Sequence, residues 1–178
     1  GVGMMDCKKA LEENDGDMDK AIEFLREKGL ATQAKKSGRA AAEGVVTAVV
    51  KGNVGVLLEV NTETDFAANT DKFKAFVDAI GAHIMAKNPA DIDELLAQGL
   101  FSDESKTIEI YTKETIADIG ENTSVRRFVT YTVSGNGSVE SYIHADGKVG
   151  VLMEIAVGDD SVISKPEYKA FAKNIGMQ

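Results

Sequence analysis

The spacing of apolar positions along this 178-residue chain changes character as it proceeds, and each change predicts a different element. Over residues 4–29, Met18, Ile22 and Leu25 recur at helical spacing with Ala21 beside them. Two short helices are predicted, the second burying that stripe. Asp15 and Asp17 favour its N-terminal end, and Gly29 is placed to close it. From residue 44 the period becomes two: Val54, Val56, Leu58 and Val60 fall on one face of a strand, preceded by "EGVVTAVV" and the turn "KGN". Helical spacing then returns, with Phe73, Phe76, Val77, Ile80 and Ile84 on one side and Asn69 available as the cap. A short helix is expected in "NPADIDELLAQG" behind Pro89, and another over 103–119. "VRRFVTYTV", "SVESYIHA" and "VGVLMEIAV" read as three strands, joined by "SGNG" and "ADGK", whose glycines supply positive φ without steric cost.

A long-period repeat overlies this pattern. A shift of 95 positions lays "GVLLEV" (55–60) on "GVLMEI" (150–155) and "FKAFVDAIG" (73–81) on "YKAFAKNIG" (168–176). A sheet-plus-helix unit therefore occurs twice. In the second copy Ser164, Pro166 and Glu167 are spaced as a capping box with proline in the first turn. That copy stops at Gln178, inside its helix, so further chain is expected beyond it. Two short amphipathic helices enclose no core alone, so a helix is expected before "GVGMMD" as well. The fold class is α+β: a helical module at 1–30, a linker at 31–43, and a core of two related antiparallel-sheet-plus-helix halves at 44–120 and 121–178.

The stretch "TETDFAANTDKF" (62–73) lies between strand and helix in the first copy. Phe66 stands there among turn-forming polar residues, where no periodic face asks for an aromatic. The second copy has Ser161 at the matching position, so the fold does not demand an apolar side chain there. Aromatics make up only 6% of the chain and tryptophan is absent, which makes a ring outside the periodic pattern more conspicuous.

Charge and candidate chemistry narrow the function classes. A net charge of −9 disfavours nucleic acid as the main partner. No apolar run has the length of a membrane span, and no signal-peptide pattern opens the chain. A single cysteine, Cys7, excludes an internal disulfide and fits a reducing compartment. CxxC, HExxH and GxxxxGK[ST] are all absent, and the opening "GVG" is too short to count as a dinucleotide loop. His83 lies beside a helix stripe and is expected to be structural; His144 precedes a turn. Glu12-Glu13 and Asp159-Asp160 are expected to be solvated, as are Lys35, Lys36 and Arg39 in the linker. No cofactor and no metal are expected, and a binding protein is favoured over an enzyme.

"GVGMMDCKKALEENDGDMDKAIEFLREKG", followed by "AAEG", "EVNTETDFAAN", "IGEN" and "RRF", resembles the elongation factor Ts family, the guanine-nucleotide exchange factors of elongation factor Tu. The resemblance spans residues 1–178 and implies a UBA-like three-helix module, a duplicated core, and a role in translation elongation in the cytoplasm, with no direct nucleotide binding. It also implies that the first UBA helix and the end of the core are absent. Family members need the whole core to hold the partner tightly. Carried over by position, Asp65 and Phe66 enter the GTP-binding domain of elongation factor Tu, where the aromatic wedges between helices and disturbs the magnesium and phosphate site. Met4, Met5 and Lys8 match positions that touch a helix of that domain, and His144 matches a histidine that touches the partner near its phosphate-binding region. One of the two methionines is expected to be buried and the other offered to the partner. The chain departs from the family at Thr62, where Cys is common, and at Ala67, where Val is common and where the smaller side chain trims apolar bulk beside Phe66. Three alternatives stay open: Phe66 as a staple folded onto its own helix, residues 1–29 as a ubiquitin- or nascent-chain-binding module, and an enzyme whose ligand cluster forms from distant residues.

Overall fold

A computed structural model describes residues 4–36 and 38–178, with backbone alone over 30–35. The opening "GVG" and the side chain of Lys35 lie outside the described residues. In chain order the elements are α1 (Met4–Glu13), α2 (Met18–Lys36), β1 (Glu43–Lys51), β2 (Val54–Thr62), α3 (Asp65–Ala68), α4 (Asp71–Lys87) and α5 (Ile92–Ala97). They continue with β3 (Gly99–Leu100), β4 (Asp103–Thr107), α6 (Ile108–Ile119), β5 (Thr123–Thr132), β6 (Gly137–His144), β7 (Val149–Ala156) and α7 (Pro166–Gly176). The class is α+β.

The period-two pattern of β2 divides its side chains between two layers. Val56, Leu58 and Val60 are buried on one face, beneath Phe73, Phe76, Val77, Ile80 and Ile84 of α4. Leu95, Leu100, Ile108 and Val125 close the rim of this core. Each such side chain taken from water contributes about 1.5–3 kcal/mol. β1 and β5 flank β2 in an antiparallel sheet ordered β1-β2-β5, with a bulge at Glu59/Val60. Thus β5, counted by sequence with the second half, is the third strand of the first sheet.

The opposite face of that sheet receives the β6–β7 hairpin, and two glycines set the approach. A Cβ on Gly55 would stand 3.0 Å from Leu152 Cδ1, and a Cβ on Gly150 would stand 3.0 Å from Leu57 Cδ1. Position 55 maps to 150, and 57 to 152, under the 95-residue shift, so the two contacts are reciprocal. The helices repeat the relation. Gly81 of α4 meets Val49 and Leu58, while Gly176 of α7 meets Tyr142 and Met153. The order of layers is α4, first sheet, hairpin, α7, with the duplicated units back to back.

Several local expectations are corrected. α2 passes through Gly29 and ends at Lys36; a glycine lowers helix propensity without forbidding continuation. Met18 and Ile22 are exposed, and Ala21 is the buried residue of that stripe, packed where α1 brings Ala10. Asn69 does not cap α4; Thr70 does, its hydroxyl accepting from Phe73 N–H at 3.2 Å. Residues 103–119 divide into β4 and α6, because Thr107 caps a helix only from Ile108. The capping box at 164–167 does not form: Lys165 is the N-cap, with no side-chain bond, and the Ser164 hydroxyl turns back to Ser161 O at 3.5 Å. Pro166 alone supplies the start, its ring pre-setting φ. Asp17 does cap α2, accepting from Asp19 and Lys20 N–H at 3.1 Å each.

His83 is fully buried and structural. Its Nδ1 accepts from Phe101 N–H at 3.0 Å, which leaves Nε2 to donate to Gln98 Oε1 at 2.8 Å. The ring ties α4 to the corner between α5 and β3. His83→Ala removes both bonds and leaves a cavity where the buried ring stood, a loss of about 2 kcal/mol or more; the urea midpoint of the variant will fall accordingly.

Candidate functional site

β2 runs out at Thr62, and the chain must turn before α4 can cross the sheet. Thr64 makes that turn: its backbone is extended and its hydroxyl accepts from Ala67 N–H at 3.2 Å, which nucleates the single helical turn α3. At the far end the Thr70 hydroxyl donates to Ala67 O at 2.8 Å while capping α4. Asn69 Nδ2 donates to Asp65 O at 2.9 Å. A one-turn helix has room for one buried side, and Ala67 and Ala68 occupy it. Asp65 and Phe66 therefore point outward, and Phe66 is 85% exposed. The ring is not a staple on its own helix, because a staple would be covered. Ala67 lies on the buried side, so its small size removes nothing that supports Phe66.

The second copy makes the same turn without an aromatic. Residues 160–162 form a short 3₁₀ turn capped by Asp159, which accepts from Ser161 N–H at 2.8 Å. That backbone bond, and the Ser161 side chain after it, hold the Asp159 carboxyl below its usual range. Ser161 stands where the first copy has Phe66.

Two acids brace the α3 turn from below. Glu121, just past α6, accepts from Thr64 N–H at 2.9 Å, from the Thr64 hydroxyl at 2.8 Å and from the Thr62 hydroxyl at 3.3 Å. In return Glu63 accepts from Asn122 N–H at 2.7 Å and pairs with Arg39 at 3.6 Å. Asn122 Nδ2 donates to Arg39 O at 2.8 Å, and Lys36 Nζ donates to Gly120 O at 2.8 Å. Lys36 and Arg39, expected to be solvated, thus tie the end of α2 and the linker to the same corner. Glu121, the acid of "IGEN", thus braces the turn from a position that no hydrophobic period marks.

The other predicted residues stand on other elements. Met4 is 87% and Met5 74% exposed, so neither is buried. α1 meets α2 through Ala10 and Ala21, with Cys7, Leu11, Phe24 and Leu25 partly covered; in the first turn of α1 it is Asp6, paired with Lys28 of α2 at 3.2 Å, and neither methionine, that is tied to α2. Lys8 pairs with Glu12 one turn on, at 3.6 Å, both side chains exposed. His144 ends β6 in the open, its Nδ1 3.0 Å from the Tyr142 hydroxyl and the two rings stacked. The turn after it is strained at Ala145 (φ 49°) and Asp146 (φ 53°) and is locked by Gly147 (φ 90°), which lies against Val45 and Val46 O.

Among the described residues no group of His, Cys, Asp and Glu side chains gathers to hold a metal ion, and no helix is long and apolar enough to cross a membrane. An open groove of about 570 Å³ is walled by Val46, Leu57, Phe128 and Tyr131. The cations at its rim, Arg127 and Lys148, pair with Glu59 at 2.6 Å and Glu43 at 2.8 Å.

The family model described as Elongation factor TS matches residues 63–178, well over half of the chain. The chain belongs to the elongation factor Ts family. Elongation factor Ts of Trichlorobacter lovleyi is 52% identical over 179 residues, covering 99% of this chain and 57% of the relative. Elongation factor Ts of Clostridium novyi is 47% identical over 180 residues, and that of Nostoc sp. 44% over 181, each alignment covering 100% of this chain and 57% of the relative. The chain thus spans a little over half the length of these family members.

Proposed function

We propose that this chain acts as a guanine-nucleotide exchange factor in translation elongation, binding the GTPase elongation factor Tu and promoting release of GDP. Family membership supports the reading, and the single observation that carries it is the 85% exposure of Phe66 on a turn pinned at both ends. Phe66 inserts between helices of the GTP-binding domain, and the Asp65 carboxylate, also exposed at the start of α3, accepts hydrogen bonds from the partner. The insertion moves the elements that hold magnesium and the phosphates. The factor binds no nucleotide and forms no covalent intermediate, so it is not an enzyme in the bond-making sense. It works by linkage: whatever binds the nucleotide-free partner more tightly weakens nucleotide binding by the same factor.

Residues 1–30 serve as a UBA-like arm. Met4 and Met5, adaptable and polarizable, lie on a helix of the partner, and Lys8 exchanges its exposed pairing with Glu12 for an acid of that helix. His144 meets the partner near its phosphate-binding region. The core, whose first sheet is completed by β5 and which is joined to the arm by the stretch after α2, holds these contacts apart in the cytoplasm, where the partner works. The test is co-elution with nucleotide-free elongation factor Tu in gel filtration. A complex is expected that disperses when excess GDP is added; a complex indifferent to GDP, or none, overturns the reading.

A further inference from the structure

We infer that Glu121 is the positioning residue of the exposed ring, acting through Thr64. This deepens the proposed function and rests on it only for its exchange readout. The geometry assigns the Thr64 hydroxyl two partners at once. Ala67 N–H points at Oγ1 at 3.2 Å and requires a lone pair, while Glu121 Oε1 lies 2.8 Å away and accepts the hydroxyl proton. A free threonine hydroxyl rotates among three staggered positions. Here the carboxylate admits the one orientation in which the lone pair faces Ala67 N–H, so the cap on α3 is set by an acid 57 residues away in sequence. Glu121 Oε2 also takes Thr64 N–H at 2.9 Å, which fixes the backbone two residues before Phe66.

The second copy shows what the arrangement adds. There Asp159 caps its turn by its own carboxylate, accepting from Ser161 N–H, and the turn presents Ser161. A threonine cap steered from outside occurs on the copy that presents Phe66. Glu63 closes the clasp in the opposite sense through Asn122 N–H at 2.7 Å, so the turn cannot tilt from the α6–β5 corner without breaking bonds in both directions. A ring aimed this way enters a partner with little orientational freedom left to lose, which raises affinity through preorganisation.

The test compares Glu121→Gln, Thr64→Val and Thr64→Ser in the chain as it stands. Amide hydrogen exchange reads the turn without any partner. Protection of the Thr64 and Ala67 amides is expected to fall about tenfold in Glu121→Gln and Thr64→Val, the scale on which a lost N-cap acts, with α4 core amides unchanged. Thr64→Ser keeps the hydroxyl and is expected to retain protection. Stimulated GDP release is expected to fall in Glu121→Gln when Phe66 is present, with no further fall in a Phe66→Ala background; a merely structural role lowers both backgrounds alike. Unchanged protection at Thr64 and Ala67, or equal losses of release in the two backgrounds, overturns the assignment. If Phe66→Ala itself leaves release unchanged, the exchange reading fails, while the protection measurement still decides whether Glu121 sets the turn.

Discussion

Phe66→Ala is expected to slow stimulated GDP release from elongation factor Tu by about thirtyfold, while the melting temperature moves by no more than about 2 °C. The kinetic figure follows from burying one phenyl ring in an apolar pocket, about 1.5–3 kcal/mol, which converts to roughly ten- to 150-fold. The thermal figure follows from the 85% exposure of the same ring, since a side chain that touches little of its own molecule stabilises little of it. The two readouts must separate. A drop of many degrees with release per folded molecule intact would make the ring a core residue of this chain and end the exchange mechanism argued for it.

That separation also explains the alanines beneath the ring. An exposed phenylalanine keeps its apolar surface in water until a partner covers it, and a flexible turn would let the ring fold back onto the nearest apolar surface. Ala67 and Ala68 give the turn a buried side too small to receive the ring, and the Thr64 and Thr70 hydroxyls fix its two ends. The ring is left with water or a partner.

The periodic elements were legible because the core repeats the periods that made them. Val56, Leu58 and Val60 in β2, and Phe73 to Ile84 in α4, are buried on the faces that their spacing predicts. Helix ends were less legible. Asn69 and Thr70 are both competent caps, and the choice fell to Thr70 because Asn69 closes α3 instead. The methionines misled for a different reason. An apolar residue on a short helix is expected inside, but α1 and α2 pack through alanines, so Met4, Met5, Met18 and Ile22 remain outside. The carboxylate clasp was beyond reach because Thr62 and Thr64 meet Glu121 across 59 and 57 residues, and no local period records a contact of that length.

Gly150 offers the second large effect, and it tests the duplication. Under the repeat, glycine at 55 and 150 is the condition for the two halves to sit back to back, each taking a leucine of the other at 3.0 Å. A Cβ at Gly150 would also fall 2.5 Å from Val46 Cγ1 and 3.1 Å from Ile143 Cδ1, so there is no open side toward which a larger residue can turn. Gly150→Val forces the hairpin off the sheet and is expected to cost about 3 kcal/mol or more as overpacking, a fall of roughly 6–12 °C in melting temperature for a chain of this size. Gly158→Ala is the matched control, since nothing lies within 4 Å of its added Cβ, and it is expected to melt within about 1 °C of the parent because surface substitutions away from special features change stability little. Equal melting of the two variants would mean that the halves are not held by the reciprocal glycine–leucine contacts, and that the 95-residue repeat is a likeness of sequence without a mechanical role.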